Sequence, residues 1–176
     1  NTELGDVIGA LRGNLNFSLL YTYLDEFEVI GIESGDVDDR RGEVLYPEHR
    51  WAMTTSYQLD NLSIVWRMRY WAEVKDSNTP QNQDDNVAYQ IQDGGIVGFA
   101  IAENDVDSVF YHDLRADYSV TDKINLFVGI RNVLDEEPPD PLLTQGSNYG
   151  STGINTAPEA YDVLGRRYYA GISMNL

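Results

Sequence analysis

The chain has 176 residues, no cysteine and a formal net charge of −17, with 15 glycines and 12 tyrosines. This length fits one domain, and the strong negative charge excludes nucleic acid as a partner because phosphates would be repelled. Without cysteine, disulfides and thiolate metal sites are excluded. The composition favours strands joined by turns. No apolar run approaches the roughly 20 residues of a membrane helix, although strands that cross a membrane alternate and would contain no such run.

Six segments alternate between apolar and polar residues with a period of two, which predicts β-strands. These segments cover residues 14–24, 50–59, 62–71, 109–120, 124–134 and 161–176. A weaker segment at 4–8 is consistent with the tail of an earlier strand. The last strand is expected to run to the end of the chain, where most domains fray. We therefore expect a sheet that is closed by its final strand.

Short and long connections alternate along the chain. Asp60-Asn61 predicts a two-residue hairpin because both residue types tolerate the left-handed conformation, and residues 121–123 predict a tight turn. The other three connections, 25–48, 72–108 and 135–160, are predicted to be long loops. Together they hold 22 acidic residues against Arg40, Arg41 and Lys75, a net charge of −19. Short turns at one end of a barrel and long loops at the other are typical of outer-membrane proteins.

The predicted strands have one apolar face and one face that carries the arginines. The arginines on the polar face are Arg50, Arg67, Arg69, Arg115, Arg131 and Arg167. A charge that faces lipid near the membrane midplane costs about 2–4 kcal/mol, so this face is expected to line a lumen. Aromatic residues near the ends of the apolar face resemble the girdles at the two membrane interfaces.

The predicted fold class is all-β, an antiparallel meander of about six or seven strands in the wall of a transmembrane barrel. The smallest membrane barrels have about eight strands, and open edges are not tolerated in lipid. We therefore expect residues 1–176 to form one part of a larger barrel whose other strands precede this chain. A soluble antiparallel sandwich, whose strands also alternate, is the competing interpretation.

Three stretches resemble the C-terminal end of TonB-dependent outer-membrane receptors. They are Tyr21-Thr22-Tyr23-Leu24 with Pro47-Glu48-His49-Arg50, the stretch from Asn125 to Pro139, and the stretch from Tyr161 to Tyr169. The resemblance implies a barrel of about 22 strands in the bacterial outer membrane. Residues 1–176 would be its C-terminal part, with the plug domain and the N-terminal strands outside this chain. It also implies import of a scarce nutrient with energy supplied by TonB.

The resemblance further implies a set of partners. The barrel's own plug domain would fill the lumen, where the six arginines would pair with plug carboxylates; solvation of a wet lumen is the alternative role for them. TonB–ExbB–ExbD would act through the missing N-terminus, and outer-membrane lipid would surround the barrel. The nutrient would be a saccharide or a ferric siderophore or cobalamin-like ligand. A passive porin or surface-binding barrel is the alternative function.

Three aromatic residues in or next to the long loops are candidates for stacking on a ligand: Trp71, Tyr89 and Tyr149. Loop packing or anchoring at the membrane interface is the alternative role for each of them. No nucleophile–base pair, phosphate-binding loop or pair of catalytic carboxylates appears in the sequence, so we do not expect an enzyme.

Asp36, Asp38 and Asp39 offer the oxygen ligands that calcium prefers, although their spacing lacks the full pattern of a calcium-binding loop. No other cofactor is expected. His49 and His112 are the only histidines and fall on different predicted strands, so a zinc site within this chain is not expected.

Overall fold

The computed structural model describes residues 2–3, 12–32, 35, 37–75, 87–92, 95–101, 105–139 and 157–175. These residues form thirteen strands and no helix, which confirms the all-β prediction. The strands are β1 (Thr2–Glu3), β2 (Asn14–Tyr23), β3 (Glu28–Ile30), β4 (Val37–Asp39), β5 (His49–Leu59), β6 (Leu62–Trp71), β7 (Val74–Lys75), β8 (Val87–Gln92), β9 (Gly95–Ile101), β10 (Asp105–Val106), β11 (Val109–Thr121), β12 (Ile124–Arg131) and β13 (Arg167–Met174). No helix in the described part of the chain has the length and hydropathy to cross a membrane.

Seven strands form one antiparallel sheet in the order β1-β2-β5-β6-β11-β12-β13. Each strand of this sheet pairs with the strand of the sheet that follows it along the chain, so the sheet is a meander. The predicted meander of six or seven strands is thereby confirmed. Among the described residues the sheet is open, because β1 and β13 lie at its two edges and do not pair with each other.

The last strand ends at Met174 and does not run to the end of the chain as predicted. Two further predicted boundaries, both next to the third long connection, were wrong by three residues or more. The fifth predicted strand ends at Arg131 rather than at residue 134, because Asn132 adopts a left-handed conformation with φ of 51°. The final strand begins at Arg167 rather than at residue 161, after a turn in which Gly165 has φ of 66°. The predicted strand tail at residues 4–8 lies outside the described residues.

The first two long connections contain strands that the sequence did not predict. β3 pairs with β4 in the first connection, and in the second β8 pairs with β9 and β7 with β10. Describing these segments as loops throughout was therefore wrong. Strands of two or three residues are too short to show a period of two, and β9, with the sequence GIVGFAI, does not alternate. The sequence of β8, VAYQIQ, does alternate, so this strand could have been predicted.

The short turns match the prediction. Asp60 is left-handed with φ of 47°, and Leu59 pairs with Leu62 across the two-residue hairpin. In the turn after β11, the Thr121 hydroxyl accepts hydrogen bonds from the amides of Lys123 at 3.2 Å and Ile124 at 3.1 Å. Local side-chain chemistry thus helps to fix the strand register at this end of the sheet.

The strand register gives the sheet an apolar face and a polar face. Cross-strand partners on the apolar face include the row Phe17, Thr55, Trp66, Leu114, Ile130 and Tyr168. Partners on the polar face include the row Ser18, Thr54, Arg67 and Asp113. The apolar face is open to its surroundings: Phe17 is 64% exposed and Tyr168 is 71% exposed. A continuous apolar surface that no other part of the described chain covers is typical of a face that contacts lipid or another protein.

The buried core lies at one end of the sheet, where the long connections meet. Its members, which we call the loop cluster, are Val44, Val74, Val106, Val109, Tyr111, Ala157, Ala160 and Tyr161. Leu45 and Trp71 pack against it. In the structure the three long connections span residues 24–48, 72–108 and 132–166. The six members outside β11 come from all three of them, so the described bases of these connections converge on the start of β11.

Candidate functional site

All six arginines that the sequence assigned to one face lie on the polar face of the sheet. Arg50 pairs with Trp71 across β5 and β6, Arg69 pairs with Tyr111 across β6 and β11, and Arg131 pairs with Arg167 across β12 and β13. The arginines are concentrated in the half of the sheet that is nearer the loop cluster. The half nearer the short turns carries neutral polar residues such as Gln58, Ser63 and Asn125.

Four of the guanidinium groups lie over aromatic rings of the same face. The distances from the guanidinium carbon to the ring centroid are 5.3 Å for Arg50 and Trp71, 5.4 Å for Arg69 and Tyr111, 4.5 Å for Arg115 and Phe127, and 5.9 Å for Arg131 and Tyr169. Each pair joins direct or diagonal cross-strand neighbours. A cation–π contact at an exposed site contributes about 0.5–1 kcal/mol and also restrains the arginine side chain.

Three of the arginines have a carboxylate partner within the chain. Arg115 forms two hydrogen bonds to Asp117, at 2.7 and 2.6 Å. Arg69 lies 3.6 Å from Asp113, and Arg167 makes a short ion pair with Asp162. These three pairs neutralise part of the charge on the polar face.

The other three arginines, Arg50, Arg67 and Arg131, form no ion pair with any carboxylate in the described part of the chain. Two of them are restrained by the rings beneath them, and their charge remains uncompensated. The polar face therefore has a net positive charge, whereas the connections beyond its end are acidic. Such a face can bind carboxylate or phosphate groups.

Two glycines of the polar face are covered by rings from the neighbouring strand. The ring of Tyr169 lies on Gly129, and the ring of Phe127 lies on Gly171, in two cross-strand pairs of β12 and β13. A Cβ atom at either glycine would overlap the ring. The glycines thus let both rings lie flat against the sheet, where they support Arg131 and Arg115.

The loop cluster is held together by backbone hydrogen bonds as well as by apolar packing. The amide of Lys75 donates to the carbonyl of Gly42 at 2.7 Å, which joins the second connection to the first. Tyr46 donates to Glu43, and Tyr161 donates to Ala157, within the first and third connections. The three bases therefore form one packed unit.

Polar contacts tie this unit to the sheet. Tyr111 is only 1% exposed, and its hydroxyl accepts a hydrogen bond from the amide of Asp162 at 3.2 Å. The Asp162 carboxylate pairs with Arg167 at the start of β13. Nearby, the side chain of the buried Asn132 receives a bond from the Glu136 amide and donates one to the Glu136 carbonyl, both at 2.8 Å.

The loop residues proposed from the sequence are only partly described. Trp71 packs against the loop cluster, with its ring under Arg50 and its centroid 6.4 Å from that of Tyr161. Tyr149 and the side chain of Tyr89 lie outside the described residues. A ligand-stacking role for all three residues stays a prediction.

The predicted calcium site also falls largely outside the described part of the chain. This applies to Asp36 and to the side chain of Asp38, while Asp39 accepts a hydrogen bond from the amide of Arg41 at 3.0 Å. The described residues contain no group of three His, Cys, Asp or Glu side chains that could hold a metal. Calcium at these aspartates stays a prediction.

Sequence reasoning missed three residues that organise this end of the sheet: Tyr111, Asn132 and Asp162. The period of two put Tyr111 on the polar face but could not show that the connections bury it. Asn132 lay inside a predicted strand, and Asp162 lay in a segment that was also assigned to a strand. An asparagine at the end of an alternating run is a recognised signal for a left-handed turn, and it was available in the sequence.

The sequence and the fold were compared with those of known proteins. No protein-family model and no curated protein matches the chain. Among solved structures, it is similar to a mutant of the ferric enterobactin receptor from Pseudomonas aeruginosa, with 20% sequence identity and a TM-score of 0.55. The match covers 92% of this chain and 20% of that receptor. The match shows a shared fold over the part of that receptor that the chain covers.

This result confirms, at the level of fold, the resemblance to TonB-dependent outer-membrane receptors. The chain spans about one fifth of that receptor's length. The open sheet is what one segment of a larger barrel wall requires, because its two edges must pair with strands beyond the segment. That residues 1–176 are one part of a larger barrel stays a prediction, as does the number of strands in that barrel.

Proposed function

We propose that the chain is part of the wall of an outer-membrane receptor that binds a scarce nutrient and imports it to the periplasm with energy supplied by TonB. The observation that carries this proposal is the fold similarity to a ferric enterobactin receptor over 92% of the chain. The two-faced sheet supports it independently, because its apolar face is suited to lipid and its arginine face to a wet lumen.

The spacing of aromatic residues supports a membrane position. Tyr21, Trp51, Tyr70 and Phe110 form one row across four strands of the apolar face, near the loop cluster. Tyr118 lies eight residues after Phe110 on β11. At about 3.4 Å per residue and a tilt of about 40°, eight residues span about 20 Å of membrane depth, close to the band of about 25 Å between the girdles of barrels.

The uncompensated arginines support a partner inside the lumen. Arg50, Arg67 and Arg131 would each gain a charge-assisted hydrogen bond from a carboxylate on a plug domain. Solvation by lumen water is the alternative. Replacing all three with glutamine in the intact protein should weaken retention of a separately expressed plug domain, whereas unchanged retention would favour solvation.

Two opposing charges bear on the class of nutrient, and they favour different ligands. The positive polar face favours an anionic ligand such as a ferric siderophore, which agrees with the neighbour being a ferric enterobactin receptor. The −19 charge of the long connections favours a neutral saccharide, or an anion bound through calcium at Asp36, Asp38 and Asp39. A cobalamin-like ligand is a further candidate.

Uptake assays test the proposal in cells that produce the intact protein. We expect accumulation of a labelled ferric siderophore or oligosaccharide to depend on the protein, on TonB and on the proton gradient. Uptake that persists without TonB would contradict active transport and would instead support a passive porin. Comparing the two labels with and without a calcium chelator would identify the ligand class.

A further inference from the structure

The described bases of the three long connections share one buried core, although they are far apart in sequence. Val44 comes from the first connection, Val74 and Val106 from the second, and Ala157 and Tyr161 from the third. Val44 and Val106 are each 1% exposed and Ala157 is 0% exposed, so no connection could withdraw without uncovering residues of the others. Shared burial of this kind makes opening cooperative.

This core has a polar attachment to the sheet at one residue of the third connection. Asp162 donates its backbone amide to the hydroxyl of Tyr111 and directs its carboxylate to Arg167. The Asp162 side chain is only 7% exposed, so the loss of either contact would leave a poorly solvated charge or donor. Asp162 also accepts a hydrogen bond from the Leu164 amide at 3.1 Å, which fixes the turn before β13.

We propose that the described bases of the three connections form one cooperative unit held on the polar face by Asp162, so that these bases open together and not one at a time. The proposal rests on contacts within the chain and does not depend on which nutrient is carried. One consequence rests on the proposed function: a carboxylate that enters the lumen would meet Arg167 in the row of arginines on the polar face, and would compete with Asp162 for it.

Hydrogen exchange of the intact protein in detergent micelles tests this idea, since each connection supplies a reporter amide. The reporters are Tyr46, Lys75 and Tyr161, whose amides donate to Glu43, Gly42 and Ala157. Arg167→Gln removes the ion pair from the sheet side and leaves the connections unaltered. We expect exchange at all three reporters to rise together, by about fivefold.

Arg115→Gln is the matched control. It removes another arginine–aspartate pair from the same face, with Asp117, but the other contacts of that pair, with Asn125 and Phe127, lie on β12 and not in the described parts of the connections. We expect it to leave the three reporters within about twofold of the unmodified protein. Faster exchange at Tyr161 alone would show that the connections open independently and would overturn the proposal, as would equal effects of the two variants.

Tyr111→Phe provides a second route if Arg167→Gln does not fold. It removes only the hydroxyl that accepts the Asp162 amide and keeps the buried ring. A joint rise at Tyr46, Lys75 and Tyr161 is again expected. If Arg167→Gln or Tyr111→Phe folds and leaves exchange at Tyr46 and Lys75 unchanged, the proposal is overturned.

Discussion

Two adjacent threonines at the centre of β5 allow the two faces to be compared with the same substitution. Thr55 lies on the apolar face between Phe17 and Trp66, and Thr54 lies on the polar face between Ser18 and Arg67. Both are within one residue of the middle of the strand, His49–Leu59, and therefore near the expected midplane. An arginine at position 55 would face lipid and should cost about 2–4 kcal/mol.

The same arginine at position 54 would face a wet lumen. Its main penalty is repulsion from Arg67, which at about 5 Å in water is worth less than about 1 kcal/mol. We therefore expect Thr55→Arg to destabilise the intact protein by about 1–3 kcal/mol more than Thr54→Arg. Urea titrations of the protein refolded into phospholipid vesicles would measure this difference, with the two Thr→Ala variants correcting for loss of the native side chain. Equal losses, or a larger loss for Thr54→Arg, would refute the assignment of the faces.

Three further predictions concern local packing and turns. Gly171→Ala should displace the Phe127 ring and cost about 1–3 kcal/mol in vesicle unfolding, whereas an unchanged urea midpoint would show that the ring can move freely. Asn132→Ala should cost about 2 kcal/mol, since it removes two hydrogen bonds made by a fully buried side chain; a loss below about 0.5 kcal/mol would contradict a structural role for this amide. Thr121→Ala should cost about 0.5–1.5 kcal/mol, and Thr121→Ser should recover most of it; equal losses would mean that the hydroxyl is not the stabilising group.

The long strands could be predicted because each has one apolar and one polar face. A strand with one apolar and one polar face must alternate, so β2, β5, β6 and β11 appeared in the sequence with almost correct bounds. The same alternation placed all six arginines on one face, since a shift of one residue would have moved a whole strand to the opposite face.

The loop end of the sheet could not be predicted in the same way. Burial of Tyr111 depends on Val44 and Ala157, which are remote in sequence and show no periodic pattern. Such contacts are determined by the path of the connections, and local propensity carries little information about that path. The pairing of Asp162 with Arg167 was missed because the last strand was predicted to begin at residue 161. Asp162 lies instead in the turn before β13, which begins at Arg167.

The central claim is that the apolar face contacts lipid while the polar face contacts water. Residues 1–176 contain no cysteine, so a single cysteine can be placed at each position from 52 to 57 of the intact protein in membranes once any cysteine elsewhere in it has been replaced by serine. We predict that a water-soluble maleimide labels the even positions, and that a fluorophore at the odd positions is quenched by a lipid-borne quencher. Strong aqueous labelling at every position, without alternation, would contradict the account.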